Sequence, residues 1–123
     1  MALDVLIVDD SAAIRKILQR VLIQAEVPLG NVFEAGDGRE ALSSLSNDRV
    51  GLVLSDINMP NMDGIEFLRE MKSKAEWKDV PVVMVTTEGS KQRVMEAVEL
   101  GAAGYVRKPF TAEQIKEKLS GLY

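Results

Sequence analysis

The stretch that decides the fold is the first one, residues 3–25, which reads LDVLIVDDSAAIRKILQRVLIQA. Residues 3–8 form a nearly continuous apolar run rich in β-branched side chains, as expected of a strand that is buried on both faces. Two aspartates end this run, and apolar residues then recur at helical spacing from Ile14 to Ala25. The stretch therefore predicts a buried strand, an acidic turn at Asp9 and Asp10, and an amphipathic helix that begins at Ser11.

This unit, a short apolar run followed by a helical pattern, occurs five times along the chain. The predicted strands cover residues 3–8, 32–35, 51–55, 82–85 and 104–106. Strand–helix units in series imply a parallel sheet with helices on both faces. The sequence thus predicts an α/β fold: a flavodoxin-like, doubly wound, five-stranded sheet with strand order 2-1-3-4-5 and five helices. Thr111 and Gln114 form a capping box at the start of the last helix.

The size and composition of the chain narrow the possible functions. Its 123 residues suit one domain, which we expect to span residues 1–123 and to be monomeric. The chain has no cysteine and no histidine, which excludes disulfides, thiolate or imidazole metal sites and a Ser-His-Asp triad. Its net charge of −4 argues against non-specific binding to nucleic acid. No apolar run approaches the ~20 residues of a membrane span and no signal peptide is evident, so we expect a cytoplasmic protein.

Acidic residues follow two strands that should be neighbours in this sheet. Asp9 and Asp10 end the first strand, and Asp56 ends the third. One such acid alone would be an ordinary helix cap or a solvated loop residue. However, ligands bind at the carboxyl ends of parallel strands, at the switch point, where these three carboxylates should converge. Like charges held close together are costly without a cation, and hard oxygen ligands favour Mg²⁺. We therefore predict a magnesium site here.

Two further strand ends supply groups that suit a phosphoryl ligand. Thr86 ends the fourth strand with a hydroxyl group, and Lys108 follows the fifth strand with a cation. Neither a Gly-x-x-x-x-Gly-Lys-Ser/Thr loop nor a Gly-x-Gly-x-x-Gly motif is present, so nucleotide binding has little support. Aspartate can accept a phosphoryl group covalently, and Asp56 is the candidate because it stands alone at its strand end.

Several motifs together resemble the receiver domain of two-component response regulators. They occur in the expected order along essentially the whole chain: Asp9-Asp10, SDINMPNMDG at 55–64, MVTTE at 84–88 and GYVRKPF at 104–110. Within this family the sequence is most similar to the single-domain chemotaxis regulators of the CheY type. The resemblance implies a phosphoacceptor regulator rather than an enzyme that turns over substrate.

The resemblance also implies a role for each site residue. Asp56 would accept the phosphoryl group from a histidine kinase. Asp10, Asp56 and the main-chain carbonyl of Asn58 would bind Mg²⁺ directly, and Asp9 would bind it through water. Lys108 would contact the phosphoryl oxygens, and Thr86 would close onto them. The Lys108–Pro109 bond would be cis.

A switch of one molecular face is implied as well. After phosphorylation, Tyr105 would turn inward and change the surface formed by helix 4, strand 5 and helix 5. Glu88, together with Asn58, would set how readily water attacks the aspartyl phosphate, and Lys118 would face a partner. Thr87 occupies a position that is commonly a small alanine, so we expect its larger side chain to hinder Tyr105. Ile57 replaces the tryptophan found in enteric relatives.

Several functions remain open from the sequence. The first is a chemotaxis regulator, with the chemotaxis kinase as donor, the flagellar motor switch as target, and a phosphatase as a further partner. We expect no output domain, so the output should be a protein partner. The second is a phosphorelay intermediate or a phosphate sink for another histidine kinase. More remote alternatives are an Mg²⁺-dependent phosphatase, which would prefer an acid where Asn58 stands, and an FMN-binding protein.

Overall fold

The computed structural model describes residues 2–123, in which five strands alternate with five helices. The strands are β1 (Leu3–Val8), β2 (Leu29–Ala35), β3 (Leu52–Ser55), β4 (Val82–Thr86) and β5 (Gly104–Arg107). The helices are α1 (Ala12–Gln24), α2 (Gly38–Asn47), α3 (Gly64–Lys72), α4 (Lys91–Glu99) and α5 (Ala112–Leu119). All strands are parallel, in the order β2-β1-β3-β4-β5. The predicted fold is confirmed.

The central strands are apolar on both faces because each face supports a separate core. Val5 and Ile7 point to one face of β1, whereas Leu6 and Val8 point to the other. The first face packs against α1 and α5, and the second packs against helices α2, α3 and α4. This arrangement follows from the two-residue repeat of a strand, since alternate side chains lie on opposite faces. The sheet is therefore fixed from both sides, and its carboxyl edge is a rigid base for a site.

A side-chain oxygen caps the first turn of every helix within residues 2–123, so each chain reversal after a strand is well defined. The capping residues are Ser11, Asp37, Asp63, Ser90 and Thr111. Asp63 and Thr111 form complete capping boxes with Glu66 and Gln114, and the second of these is the predicted one.

Strand β2 begins three residues earlier than the sequence predicts. Gly30 is typical of a turn, and it places the predicted start of β2 at Val32. In the structure Gly30 lies within the strand, and Asp4 packs so closely beside it that a Cβ atom would overlap the Asp4 carboxylate. That carboxylate also accepts a hydrogen bond of 2.7 Å from the backbone N–H of Asn31. The glycine therefore permits a close approach and does not end the strand.

Two helices bury less of their apolar surface than their sequence pattern suggests. Ile17 belongs to the apolar face of α1 by spacing, yet it is 44% exposed. Met95 and Val98 of α4 are 46% and 50% exposed, and Ala97 is the residue of that helix that is buried. A helix at the side of a sheet covers it with a narrow stripe, so apolar residues outside that stripe reach solvent. Within residues 2–123, no helix has the length and apolar character needed to cross a membrane.

Candidate functional site

Three aspartates meet at the carboxyl edge of the sheet, where β1 and β3 lie side by side. Val8 pairs with Ser55, and the backbone N–H of Asp56 donates to the carbonyl of Val8 at 2.9 Å. Asp9 and Asp56 follow these pairs and are buried, whereas Asp10 is exposed. One carboxylate oxygen from each aspartate lies within 4.8 Å of the other two. The structure thus brings together the three acids that the sequence places at these strand ends.

Lys108 supplies the positive charge of this cluster. Its ammonium nitrogen lies 2.6 Å from Oδ2 of Asp9 and 3.2 Å from Oδ2 of Asp56. Burial alone would lower the pKa of Lys108, but the hydrogen bonds and charges of Asp9 and Asp56 outweigh burial and raise that pKa above its ordinary value. Lys108 therefore remains charged at neutral pH. The Lys108–Pro109 peptide bond is cis, as the resemblance implies.

Backbone donors orient the two buried carboxylates. Oδ1 of Asp9 accepts from the N–H of Ser11 at 2.9 Å, and Oδ1 of Asp56 accepts from the N–H of Ile57 at 2.7 Å. Each of these carboxylates therefore uses one oxygen for the backbone and the other for Lys108. A set of two buried carboxylates and one exposed carboxylate offers hard oxygen ligands with access from solvent, which fits Mg²⁺. Asn58 lies two residues beyond Asp56 on the exposed side of the loop.

Thr86, Glu88 and Tyr105 form a hydrogen-bonded group that connects β5 to the turn after β4. Thr86 is fully buried, and its hydroxyl oxygen accepts from the N–H of Glu88 at 3.1 Å. The hydroxyl of Tyr105 donates to the carbonyl oxygen of Glu88 at 2.9 Å. Tyr105 is half-buried and packs against the core that lies beneath α2, α3 and α4. The side chains of Thr86 and Tyr105 thus both bond to the backbone of Glu88 and hold the β4–α4 turn.

Thr87 and Lys118 lie apart from this group. Thr87 is exposed and lines a groove with Ile14, Pro109 and Phe110 on the α1 side of the sheet, whereas Tyr105 packs on the opposite side. In this conformation the sheet separates the two side chains, and the expected hindrance of an inward Tyr105 by Thr87 stays a prediction. Lys118 is exposed in the last turn of α5. Ile57 is fully buried in the core.

Apolar side chains form most of the wall of the groove that contains Thr87. Its volume is about 330 Å³, and Lys108 forms part of its wall next to the acidic cluster. A second cavity of about 200 Å³ lies at the amino edge of the sheet, next to Trp77, Val50 and Val80. Trp77 is consequently remote from the acids.

Sequence reasoning missed two arginines that support the site. Arg15 donates through Nη1 to the backbone carbonyl of Asp9 and through Nε to Glu34 at 2.9 Å. The hydrogen bonds of Lys16 and Arg15 lower the pKa of Glu34. Arg93 lies 3.4 Å from a carboxylate oxygen of Glu88 and 3.2 Å from one of Asp63. Nothing in the local pattern marks either arginine, because their partners lie on other elements.

Comparisons with known proteins agree on one family. The family described as response regulator receiver domain matches residues 5–120. Chemotaxis protein CheY-3 of Vibrio cholerae serotype O1 is 39% identical over 119 residues, which cover 97% of this chain and 90% of the relative. Chemotaxis protein CheY of Pseudomonas aeruginosa is also 39% identical, with coverage of 97% and 94%.

Solved structures agree with this result. The structure of chemotaxis protein CheY4 of Vibrio cholerae has a TM-score of 0.87 and 36% identity, and the match covers 100% of both chains. A CheX–CheY–BeF3–Mg²⁺ complex from Borrelia burgdorferi has a TM-score of 0.88 and 29% identity, covering 98% of this chain and 90% of the other. The sequence and the fold therefore point to the same family.

Proposed function

The chain belongs to the response regulator receiver domain family, and from this membership and the geometry of the site we propose that residues 1–123 act as one phosphoacceptor regulator. Asp56 accepts a phosphoryl group from a histidine kinase, and the protein is not a turnover enzyme. The observation that carries this proposal is the cluster of Asp9, Asp10 and Asp56 joined to Lys108. A cytoplasmic, monomeric protein fits this role.

In the proposed reaction, an oxygen of Asp56 attacks the phosphorus of a phosphohistidine. The new bond joins that oxygen to phosphorus, and the phosphorus–nitrogen bond breaks. The histidine nitrogen keeps the bonding electrons and takes up a proton. Lys108 is already within 3.2 Å of Asp56, so its charge lies where the phosphoryl oxygens arrive. Thr86 offers its hydroxyl to the same oxygens.

A bound cation completes this site. Asp10, Asp56 and the carbonyl of Asn58 would hold Mg²⁺ directly, and Asp9 would hold it through water. Mg²⁺ supplies charge neutralisation for the attacking carboxylate and the incoming phosphoryl group. The Borrelia burgdorferi relative is described in a complex with BeF3 and Mg²⁺, which supports this assignment.

Asp56→Asn tests the phosphoacceptor directly. The amide cannot attack phosphorus as a carboxylate does, so we expect no stable labelling of Asp56→Asn by acetyl phosphate in the presence of Mg²⁺. Phosphorylation is read by intact-protein mass spectrometry. Asp79→Asn, which makes the same change at an exposed position, is the matched control and should be labelled like the wild type. Equal labelling of both variants would refute the assignment of Asp56.

We further propose that the phosphorylated form signals in chemotaxis by binding the flagellar motor switch, with the chemotaxis kinase as donor. The names of the relatives support this, since three of those described above are chemotaxis proteins. In this conformation, α4 exposes Met95 and Val98, and Lys118 is exposed on α5, so these helices offer apolar and basic side chains to a partner. A phosphatase that resets Asp56 would be a further partner.

Calorimetric titration with the N-terminal peptide of a flagellar switch protein tests this output. We expect tighter binding with Mg²⁺ and beryllofluoride than with Mg²⁺ alone, because beryllofluoride mimics the aspartyl phosphate. If the peptide binds in neither state while NMR shifts show beryllofluoride bound, the phosphorelay or phosphate-sink role replaces the chemotaxis role. Multiple turnover of small phosphate esters would instead favour an Mg²⁺-dependent phosphatase.

A further inference from the structure

The loop between β3 and α3 is held from two directions. This loop, residues 56–63, carries Asp56 at its start and Asn58 next to it. At its base, the backbone N–H of Gly64 donates to the carbonyl of Ile57 at 2.7 Å, which closes the loop. At its far side, the loop touches the β2–α2 junction, where Asp37 and Gly38 lie.

Two hydrogen bonds make this far contact. Nδ2 of Asn61 donates to Oδ2 of Asp37 at 2.8 Å, and the backbone N–H of Gly38 donates to the carbonyl of Met62 at 2.9 Å. The second bond depends on a close approach, since a Cβ atom at Gly38 would overlap the Met62 side chain. The loop and the junction are 24 residues apart at the Asp37–Asn61 pair, so this is a tertiary contact and not a local turn.

Asp37 is well suited to hold the loop between β3 and α3 in place. It is only 6% exposed, and its second oxygen caps α2 by accepting from the N–H of Glu40 at 2.9 Å. The hydrogen bond from Asn61 and then the bond from Glu40 lower the pKa of Asp37, so its carboxylate is ionised and accepts strongly. Asp37 is thereby anchored to the end of a helix before it binds the loop.

Asn61 has a backbone conformation that needs such support. Its φ angle is +66°, in the left-handed region, and the N–H of Met62 donates to the carbonyl of Pro60 at 2.7 Å across it. A tight turn of this kind with a positive central φ is strained for a residue other than glycine. It persists where the surrounding structure determines it, and the bond to Asp37 is the side-chain contact that does so here.

We propose that Asp37 and Asn61 are positioning residues for the metal site, because their hydrogen bond fixes the loop that presents Asn58 and Asp56 to Mg²⁺. The inference rests on the proposed function. The loop leaves the site at Asp56 and returns at Gly64, so its path between them is set by the anchor at Asn61. Residues that orient metal ligands without touching the metal affect affinity about 10- to 100-fold.

Three variants separate this role from a general role in folding. Asn61→Gly removes the side-chain bond, keeps every charge and accepts the positive φ without strain. Asn61→Asp removes the donor and sets a second carboxylate against that of Asp37, so the hydrogen bond is lost. The exchange Asp37→Asn with Asn61→Asp restores one donor, one acceptor and the original net charge. Asp4→Asn is the control, because Asp4 also accepts a backbone N–H but lies at the amino end of β1.

The measurements are Mg²⁺ affinity by calorimetry and amide hydrogen exchange of residues 57–63 in metal-free protein. We expect Asn61→Gly and Asn61→Asp to weaken Mg²⁺ binding about tenfold and to accelerate exchange in the loop, with exchange in the β-sheet unchanged. The exchanged double variant should recover most of the affinity, and Asp4→Asn should match the wild type.

The outcomes distinguish this inference from the proposed function. Wild-type protein that binds no Mg²⁺ and takes no phosphoryl group would refute the proposed function itself. Wild-type protein that binds Mg²⁺, with Asn61→Gly binding it equally well, would overturn the positioning role alone. Loss of affinity in the single variants without recovery in the double variant would also overturn it, because the effect would then not come from this hydrogen bond.

Discussion

At the scale of the residue, the site depends on two charged groups held in contact over a long separation in sequence. Lys108 and Asp9 are 99 positions apart, yet Nζ and Oδ2 lie 2.6 Å from each other. A buried carboxylate without a partner is costly, so the ion pairs with Lys108 offset the cost of burying Asp9 and Asp56. The place of these residues in the site was predictable, because each of them follows a strand. Their direct ion pairs were not, because the sequence does not show where a long lysine side chain ends.

Gly64 yields a prediction at this scale. A Cβ atom there would overlap the backbone carbonyl of Asp56, and backbone cannot move aside as a flexible side chain can. We expect Gly64→Ala to lower the free energy of unfolding by about 1–3 kcal/mol, the usual cost of an inserted group in a packed site. It should also weaken Mg²⁺ binding, because Asp56 must shift. Urea denaturation and calorimetry measure the two effects.

Gly104→Ala is the matched control for this substitution. The nearest atom to a Cβ at Gly104 is a methyl carbon of Val83 at 3.8 Å, which is an ordinary contact. We expect its stability to stay within about 0.5–1 kcal/mol of the wild type, since glycine in a strand is itself mildly unfavourable. Equal stability of Gly64→Ala and Gly104→Ala would show that the Asp56 carbonyl is free to relax.

At the scale of the element, helix α4 has the fewest buried residues of the helices within residues 2–123, and polar side chains connect it to its surroundings. Ala97 is its buried residue, so packing alone secures it weakly. Arg93 connects its first turn to Glu88 in the preceding turn and to Asp63 at the start of α3. Tyr105 adds a bond from β5 to the carbonyl of Glu88. We expect an element held in this way to change its position at a low energetic cost, which the proposed switch face would require.

Arg93→Ala tests this account of α4. We expect the free energy of unfolding to fall by about 0.2–1 kcal/mol, because the ion pairs are partly exposed and screened by solvent. Amide exchange in α4 should accelerate while exchange in β1 and β3 stays unchanged. Hydrogen exchange with mass spectrometry measures this. Gln92→Ala, at the exposed neighbouring position, is the control, and an equal effect of both variants would argue against the bridging role.

At the scale of the whole molecule, folding brings three carboxylates close together. Repulsion between them lowers the stability of the folded state, and a bound cation should reduce this repulsion. If Mg²⁺ binds the folded protein alone, it stabilises that state by mass action. At a concentration one hundred times the Kd, the gain is about 2.7 kcal/mol. We therefore expect the melting temperature to rise with Mg²⁺ and to fall back when EDTA removes it. Differential scanning calorimetry measures the shift.

Asp10→Ala tests whether Asp10 contributes to the stabilisation by Mg²⁺. Because Asp10 is exposed, its loss should not disturb the core. If the variant binds Mg²⁺ about tenfold more weakly, the gain at the same concentration falls to about 1.4 kcal/mol. Its metal-free stability should equal or exceed that of the wild type, since one of three like charges is gone. An undiminished Mg²⁺ effect in Asp10→Ala would exclude this residue as a ligand.

The sequence by itself determined the strands, their order and the chemical character of the site. Strand and helix periods are local properties, and a parallel sheet always places the carboxyl ends of its strands at one edge. Asp9, Asp10, Asp56, Thr86 and Lys108 could therefore be assigned to that edge from their positions alone. The start of β2 and the exposed fractions of Met95 and Val98 could not be predicted from the sequence, because each depends on what packs beside the element.

Only the tertiary structure decided how that site is supported. Arg93 meets Asp63 across 30 positions, Asn61 meets Asp37 across 24, and Thr87 and Tyr105 lie on opposite sides of the sheet. Such pairings follow from the angle and distance between elements, and no periodic pattern in the sequence indicates that angle or distance. The position of a residue at a strand end predicts that its side chain belongs to the site, whereas the packing of whole elements determines which atom that side chain contacts.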